Sequence, residues 1–128
     1  MMFKVGISGD LLNDENEPCF GSAPLEILKN RNDIEISWMD KNITELNPDI
    51  TSVYDAILLN LPKANAHSVS QIDCRLKIIS RFGVGFDSVD IEAMKRKNII
   101  VTNTPNAVRR PVAVATLTMI FAWAGKLI

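Results

Sequence analysis

The stretch from Leu76 to Thr104, LKIISRFGVGFDSVDIEAMKRKNIIVTNT, leaves this chain few folds to choose from. Two short apolar runs, Leu76 to Ser80 and Ile99 to Thr102, flank a segment of helical periodicity, which spells strand, turn, helix, strand. Strands joined through a helix run parallel, and parallel strands are apolar throughout because both faces of their sheet are covered. Gly83 and Gly85 bracket Val84 where the first of these strands ends, so the backbone there can meet a ligand with no Cβ in the way. Successive peptide N–H groups at such a bend form a concave donor site, beside a helix expected to start after Asp87. Both the free N–H groups and the helix dipole favour a carboxylate or phosphate as the guest. A plain strand-to-helix turn is the alternative.

Gly83, Gly85 and Ser88 also fall at the spacing of a dinucleotide fingerprint, G-x-G-x-x-S. That fingerprint wants a third glycine and a carboxylate about 20 residues further on to take the ribose hydroxyls. The third glycine is missing and no Asp or Glu follows Glu92, so the dinucleotide reading is rejected.

The rest of the chain repeats the alternation of strand and helix. Lys4 to Ser8 reads as a first strand, and Gly9 opens a polar loop with Asp10, Asn13, Asp14, Glu15, Asn16 and Glu17, which is solvated rather than a cation site because it lacks the EF-hand order. Pro24 to Asn30 reads as a helix burying Leu25, Ile27 and Leu28. Ile34, Ile36 and Trp38 alternate with Glu35, Ser37 and Met39, the pattern of an edge strand. A helical turn at Asn42 to Leu46, a central strand at Tyr54 to Asn60 and a helix at Ser68 to Cys74 complete the order. Five strands alternating with helices make an α/β fold, a parallel five-stranded sheet in the flavodoxin-like order 2-1-3-4-5.

In such sheets the ligand crevice lies beyond the carboxyl ends of the strands. Asn60 and Leu61, closing the third strand, should therefore face the Gly83 turn and shape substrate choice; the alternative is that Asn60 merely turns the chain before Pro62. His67 is the single histidine, in a polar segment with no acid near it in sequence to orient the ring, and reads as a surface residue.

With 128 residues the chain is long enough for one domain with a real core. Cys19 and Cys74 make neither a metal spacing nor a disulfide framework and read as bland buried or half-buried thiols; with no segment resembling a signal peptide, a reducing cytoplasm is the expected location. A net charge of −1 argues against nucleic acid or a membrane surface as partner. The charge is unevenly spread: residues 1–92 hold all 15 acids, leaving Lys95, Arg96, Lys97, Arg109, Arg110 and Lys126 in an acid-free end. Lys95 to Lys97 complement the dipole at a helix end, whereas Arg109 and Arg110 stand at a helix start, where cations are mildly unfavourable.

RFGVGFDSVD, the Lys/Arg-rich helix end, IIVTNTPN and an apolar helix resemble, over residues 76 to 124, the N-terminal domain of the D-isomer-specific 2-hydroxyacid dehydrogenases, the group that includes D-3-phosphoglycerate dehydrogenase. The resemblance implies that the N–H groups of Val84 and Gly85, next to Gly83, hold the carboxylate of a 2-hydroxy or 2-keto acid, with Asn60 and Leu61 as neighbours. It also implies that Val84 and Thr116 border an NAD cofactor. One departure is visible: Val114 stands where the family usually has Glu.

Val112 to Ala124 is apolar all round except for Thr116 and Thr118. It is shorter than the roughly 20 residues a bilayer span needs, and one small sheet covers only one side of it. The resemblance implies an interdomain helix that also makes a homodimer, so residues 1–106 are expected to be the substrate-binding domain and 107–128 the linking and dimerisation helix. The family's NAD-binding Rossmann domain and its catalytic Arg, acid and His would lie beyond Ile128. No residue here is expected to be catalytic, and no turnover is expected of this stretch alone. A regulatory or interaction module is the rival reading, since the same fold family includes NAD-sensing corepressors.

Overall fold

A computed structural model describes residues 2–127. Five strands, β1 (Phe3–Ile7), β2 (Ile34–Trp38), β3 (Ala56–Leu59), β4 (Ile78–Arg81) and β5 (Ile100–Thr102), form one all-parallel sheet in the order β2-β1-β3-β4-β5. Four helices connect or follow them: α1 (Ala23–Lys29), α2 (Pro48–Val53), α3 (Ile91–Arg96) and α4 (Arg109–Ala124). The expected fold class and strand order are both present, and β2 takes the edge that its alternating pattern suggested.

Right-handed crossovers place α1 on one face of the sheet and the later connections on the other. The larger core lies on the second face, where Ile57, Leu59 and Ile79 from the central strands meet Leu46, Met94 and Val69. On the first face Ile7, Leu11 and Leu25 make a small cluster under α1. Beyond α1 that face is an open apolar trough of about 280 Å³ floored by Val5, Ala56, Leu58 and Ile78.

Several local expectations change. Ile27 is 77 % exposed, because it lies about 200° round the helix from Leu25, so only Leu25 is buried and Leu28 half-buried. Met39, expected on a solvent face, is buried: its N–H donates to the Ile7 carbonyl at 2.8 Å and the side chain joins the main core past the end of β2. Asn42 to Leu46 forms only a turn. The helix that does form there is α2, started by the Asn47 side chain accepting from Ile50 N–H with Pro48 at the first position.

No helix forms at Ser68 to Cys74. Ser68 is buried with its carbonyl accepting from the Thr51 hydroxyl at 2.6 Å, and Val69 is buried in the main core while Ile72 is fully exposed, so the two residues a helix would place on one face are separated. Cys19 is exposed rather than buried, while Cys74 is half-buried.

Asp55, only 2 % exposed, ties the amino ends of three strands together. Its carboxylate meets the Arg75 guanidinium at 2.7 Å and Lys77 Nζ at 3.1 Å, and accepts from Lys4 N–H at 2.9 Å. Chiefly the Arg75 hydrogen bond, against the opposing cost of burial, holds this carboxyl far below the usual carboxylate range. A group depressed in the folded state contributes stability that is present above its unfolded pKa and lost as pH falls through the folded value. Asp55→Asn is expected to cost about 3 kcal/mol at neutral pH; in urea titrations the gap from the unaltered chain should hold from pH 8 down to about 5 and narrow below about 4.

Candidate functional site

Parallel pairing brings the ends of β1, β3, β4 and β5 to one edge, and the glycine turn lies there. Gly83 has a φ of +141°, a conformation that side-chain-bearing residues rarely adopt. The turn is pinned from two sides: Phe82 N–H donates to the Leu59 carbonyl at 2.8 Å, and the Gly83 carbonyl accepts from Thr104 N–H at 2.9 Å. The Asn103 side-chain amide donates to the Val84 carbonyl at 2.8 Å. Among the described residues, the N–H groups of Val84, Gly85, Phe86, Asp87 and Ser88 have no acceptor within the chain.

The helix dipole expected beside this nest is not there. α3 begins only at Ile91, and its N-cap, Asp90, already accepts from Ala93 N–H at 2.9 Å. Residues 86–90 instead turn back along the main core, with Val89 buried and Ala64 N–H donating to the Ser88 carbonyl at 2.8 Å. Any attraction for an anion rests on the bare peptide groups and on nearby side-chain charge.

That charge comes from Arg81, to which the sequence pattern assigned no site role. Arg81 closes β4 and folds its guanidinium back against the turn: a Cβ on Gly83 would lie 2.8 Å from Nη1. Nη1 donates to the Phe82 carbonyl and, at 3.4 Å, to Asn60 Oδ1, whereas Nε is buried with no partner. Among the described residues no carboxylate pairs with it.

Asn60 thereby joins the turn, and so does Asp10, from the loop read as merely solvated. One Asp10 oxygen accepts from the Ser8 hydroxyl, the other from Asn60 Nδ2 at 2.6 Å and Leu61 N–H at 3.1 Å. These bonds stitch β1, β3 and β4 together at the carboxyl edge. Leu61, Phe86, Val84 and Phe82 are the exposed large apolar side chains there, Leu61 the most so at 70 %.

The remaining candidates stand elsewhere. Thr116 lies on α4, with its hydroxyl donating to the Val112 carbonyl of its own helix at 2.8 Å. His67 is exposed on the loop after β3. The Asn103–Asn106 segment supplies no side-chain cap to α4, whose N-cap is Val108; Asn106 instead accepts from Arg109 at 3.3 Å. Apart from half-buried Ala122, α4 buries nothing, so the sheet does not cover even the one side expected of it. No described helix is long and apolar enough to cross a membrane.

A five-stranded parallel sheet with a glycine turn at its carboxyl edge, followed by Asn-Thr-Pro and an apolar helix, defines the class. The sequence profile of the D-isomer specific 2-hydroxyacid dehydrogenase catalytic domain matches residues 17–118. The chain belongs to this family. It is 38% identical over 76 residues to a D-3-phosphoglycerate dehydrogenase of Synechocystis sp., covering 59% of this chain and 14% of that protein. It is 30% identical over 106 residues to a glyoxylate reductase of Thermococcus kodakarensis, covering 81% and 32% respectively. In fold it is similar to the NAD-complexed D-isomer specific 2-hydroxyacid dehydrogenase of Lactobacillus delbrueckii ssp. bulgaricus, with a TM-score of 0.60 at 22% identity, over 93% of this chain and 35% of that one. The chain therefore spans about a third or less of the length of these relatives.

Gly83 and Gly85 differ in what a methyl group would meet. At Gly83 it is strained by φ and pressed on the guanidinium, while at Gly85 the nearest neighbour is an Asp87 carboxylate oxygen at 3.7 Å. Gly83→Ala should cost about 1–3 kcal/mol in urea unfolding, and Gly85→Ala less than about 1 kcal/mol.

Proposed function

We propose that this chain is the acid-binding part of an NAD-dependent 2-hydroxyacid oxidoreductase, with residues 1–106 forming the substrate-binding domain and 107–128 the linking and dimerisation helix. The observation that carries the reading is the run of unpaired peptide N–H groups at Val84 and Gly85, at the carboxyl edge of the sheet in a chain of this family. A carboxylate accepts from both donors, and Arg81 supplies positive charge beside them. Asn60 and Leu61 border the remainder of the acid.

Interconverting a 2-keto and a 2-hydroxy acid requires a hydride donor, a proton donor and a cation near the reacting carbonyl. NAD supplies the hydride when bound. The residues described here do not make a seat for the dinucleotide itself, since Ser88 replaces the third glycine and no carboxylate follows Glu92. At most Val84, and Thr116 from α4, border the nicotinamide. This chain's share of the chemistry is to hold and orient the acid, and no residue in it is assigned a catalytic role.

The exposed α4 fits a second copy of the chain, since Val112, Leu117, Ile120, Phe121 and Trp123 are each more than half exposed and covering the exposed part of such a side chain gains about 1–2 kcal/mol. Light scattering is expected to give a dimer, and the double variant Leu117→Glu, Phe121→Glu a monomer. A monomeric unaltered chain at high concentration would count against this role for α4.

Titration of the ¹⁵N-labelled chain with pyruvate should shift the Val84 and Gly85 amide resonances ahead of all others. Arg81→Ala is expected to weaken the response about tenfold, as loss of a charge-assisted contact does, and Gly85→Ala to abolish it while the chain stays folded. An interaction module of the corepressor type would instead leave these amides silent with pyruvate, glyoxylate and 3-phosphoglycerate alike.

A further inference from the structure

The two donors of the nest belong to two peptide units, and each unit is gripped by its opposite end. Because a peptide is planar and trans, the Gly83 carbonyl points away from the Val84 N–H, and the Val84 carbonyl away from the Gly85 N–H. The first carbonyl accepts from Thr104 N–H and the second from Asn103 Nδ2. Both partners come from the residues that follow β5, whose last side chain is itself tied to β4 by the Thr102 hydroxyl donating to Ser80 Oγ at 3.2 Å.

We infer that Asn103 is a positioning residue: through the Val84 carbonyl it aims the Gly85 N–H at the substrate carboxylate. The Val84–Gly85 unit is the one most in need of such a grip. It ends in a glycine, whose φ is nearly free of sign, so rotating the peptide over costs little in local sterics. Rotated, it would present a carbonyl oxygen to the anion in place of a donor. The Asn103 amide opposes that rotation and polarises the peptide it holds, which strengthens the N–H at the other end. The side-chain orientation follows from its partner, since a carbonyl accepts only from the NH₂ of the amide. Thr104 does the same for Val84 with a backbone group, which no side-chain substitution removes.

The inference rests on the carboxylate reading of the glycine turn, and one experiment separates the two. The ¹⁵N-labelled chain, Asn103→Asp and Asn103→Ala are each titrated with pyruvate while the Gly85 amide is followed, and each is unfolded in urea. Asp keeps the shape but has no donor; Ala removes the donor without adding a charge that would itself repel the ligand. Both variants are expected to displace the Gly85 resonance before ligand is added and to weaken pyruvate binding about tenfold, with urea midpoints close to that of the unaltered chain because the Asn103 bond is solvent-exposed. A lowered midpoint with unchanged pyruvate affinity in both variants would make Asn103 merely structural and overturn the inference, leaving the nest intact. Should Asn103→Asp fail to fold, Asn103→Ala decides alone. Silence of the Gly85 amide in the unaltered chain would overturn the carboxylate reading, and this inference with it.

Discussion

Parallel strands all end at the same edge, and that constraint organises this molecule. Where β1, β3, β4 and β5 stop pairing, their next residues are released together: Ser8, Asn60, Phe82 and Asn103 all lie within a residue of a strand end. Each must then place its backbone and side-chain polar groups without a neighbouring strand to take them. Asp10, Asn60, Arg81 and Asn103 do so by bonding to one another's segments. What is left unbonded is the row of N–H groups after Gly83, and the functional reading grows from that residue of the hydrogen-bond accounting.

The two edges of the sheet treat charge in opposite ways. At the amino edge Asp55 is buried and saturated by Arg75, Lys77 and the Lys4 N–H, an arrangement that stabilises and offers nothing to a ligand. At the carboxyl edge Arg81 has a buried Nε without a partner and, among the described residues, no ion-paired carboxylate; Asp10 is linked to it only through Asn60. A cation held by neutral carbonyl and amide oxygens keeps its charge available to an incoming anion, which is what distinguishes a binding group from a structural ion pair.

The same imbalance holds for apolar surface. The face of the sheet under α2 and α3 is closed by a continuous core, but the opposite face has only the short α1, and the trough beside it remains open. α4 extends for about 24 Å with its apolar side chains in solvent. Exposed apolar surface of this kind commonly marks a place of contact with another molecule or domain.

Much of the architecture was legible in the residues. Period-two and continuous apolar runs marked all five strands, and the alternation of strand with connection fixed a parallel sheet, because hydrophobic periodicity is written locally. The turn was legible too, since only glycine tolerates the conformation at Gly83, and Gly-x-Gly after a strand announces it. The Asn47-Pro48 start of α2 was equally readable and was overlooked. Ser68 to Cys74 misled because its helix-compatible composition says nothing of Thr51, which takes the Ser68 carbonyl from a distant part of the chain. Asp10, Arg81 and Asn103 were invisible as site residues for the same reason: each lies far in sequence from some group it serves, and only strand order brings them to one edge. The chain by itself thus determined which backbone could bend and which runs would pair; the folded sheet decided which carbonyls were taken and which N–H groups were left free, because hydrogen-bond partners separated by tens of residues exist only once the strands are side by side.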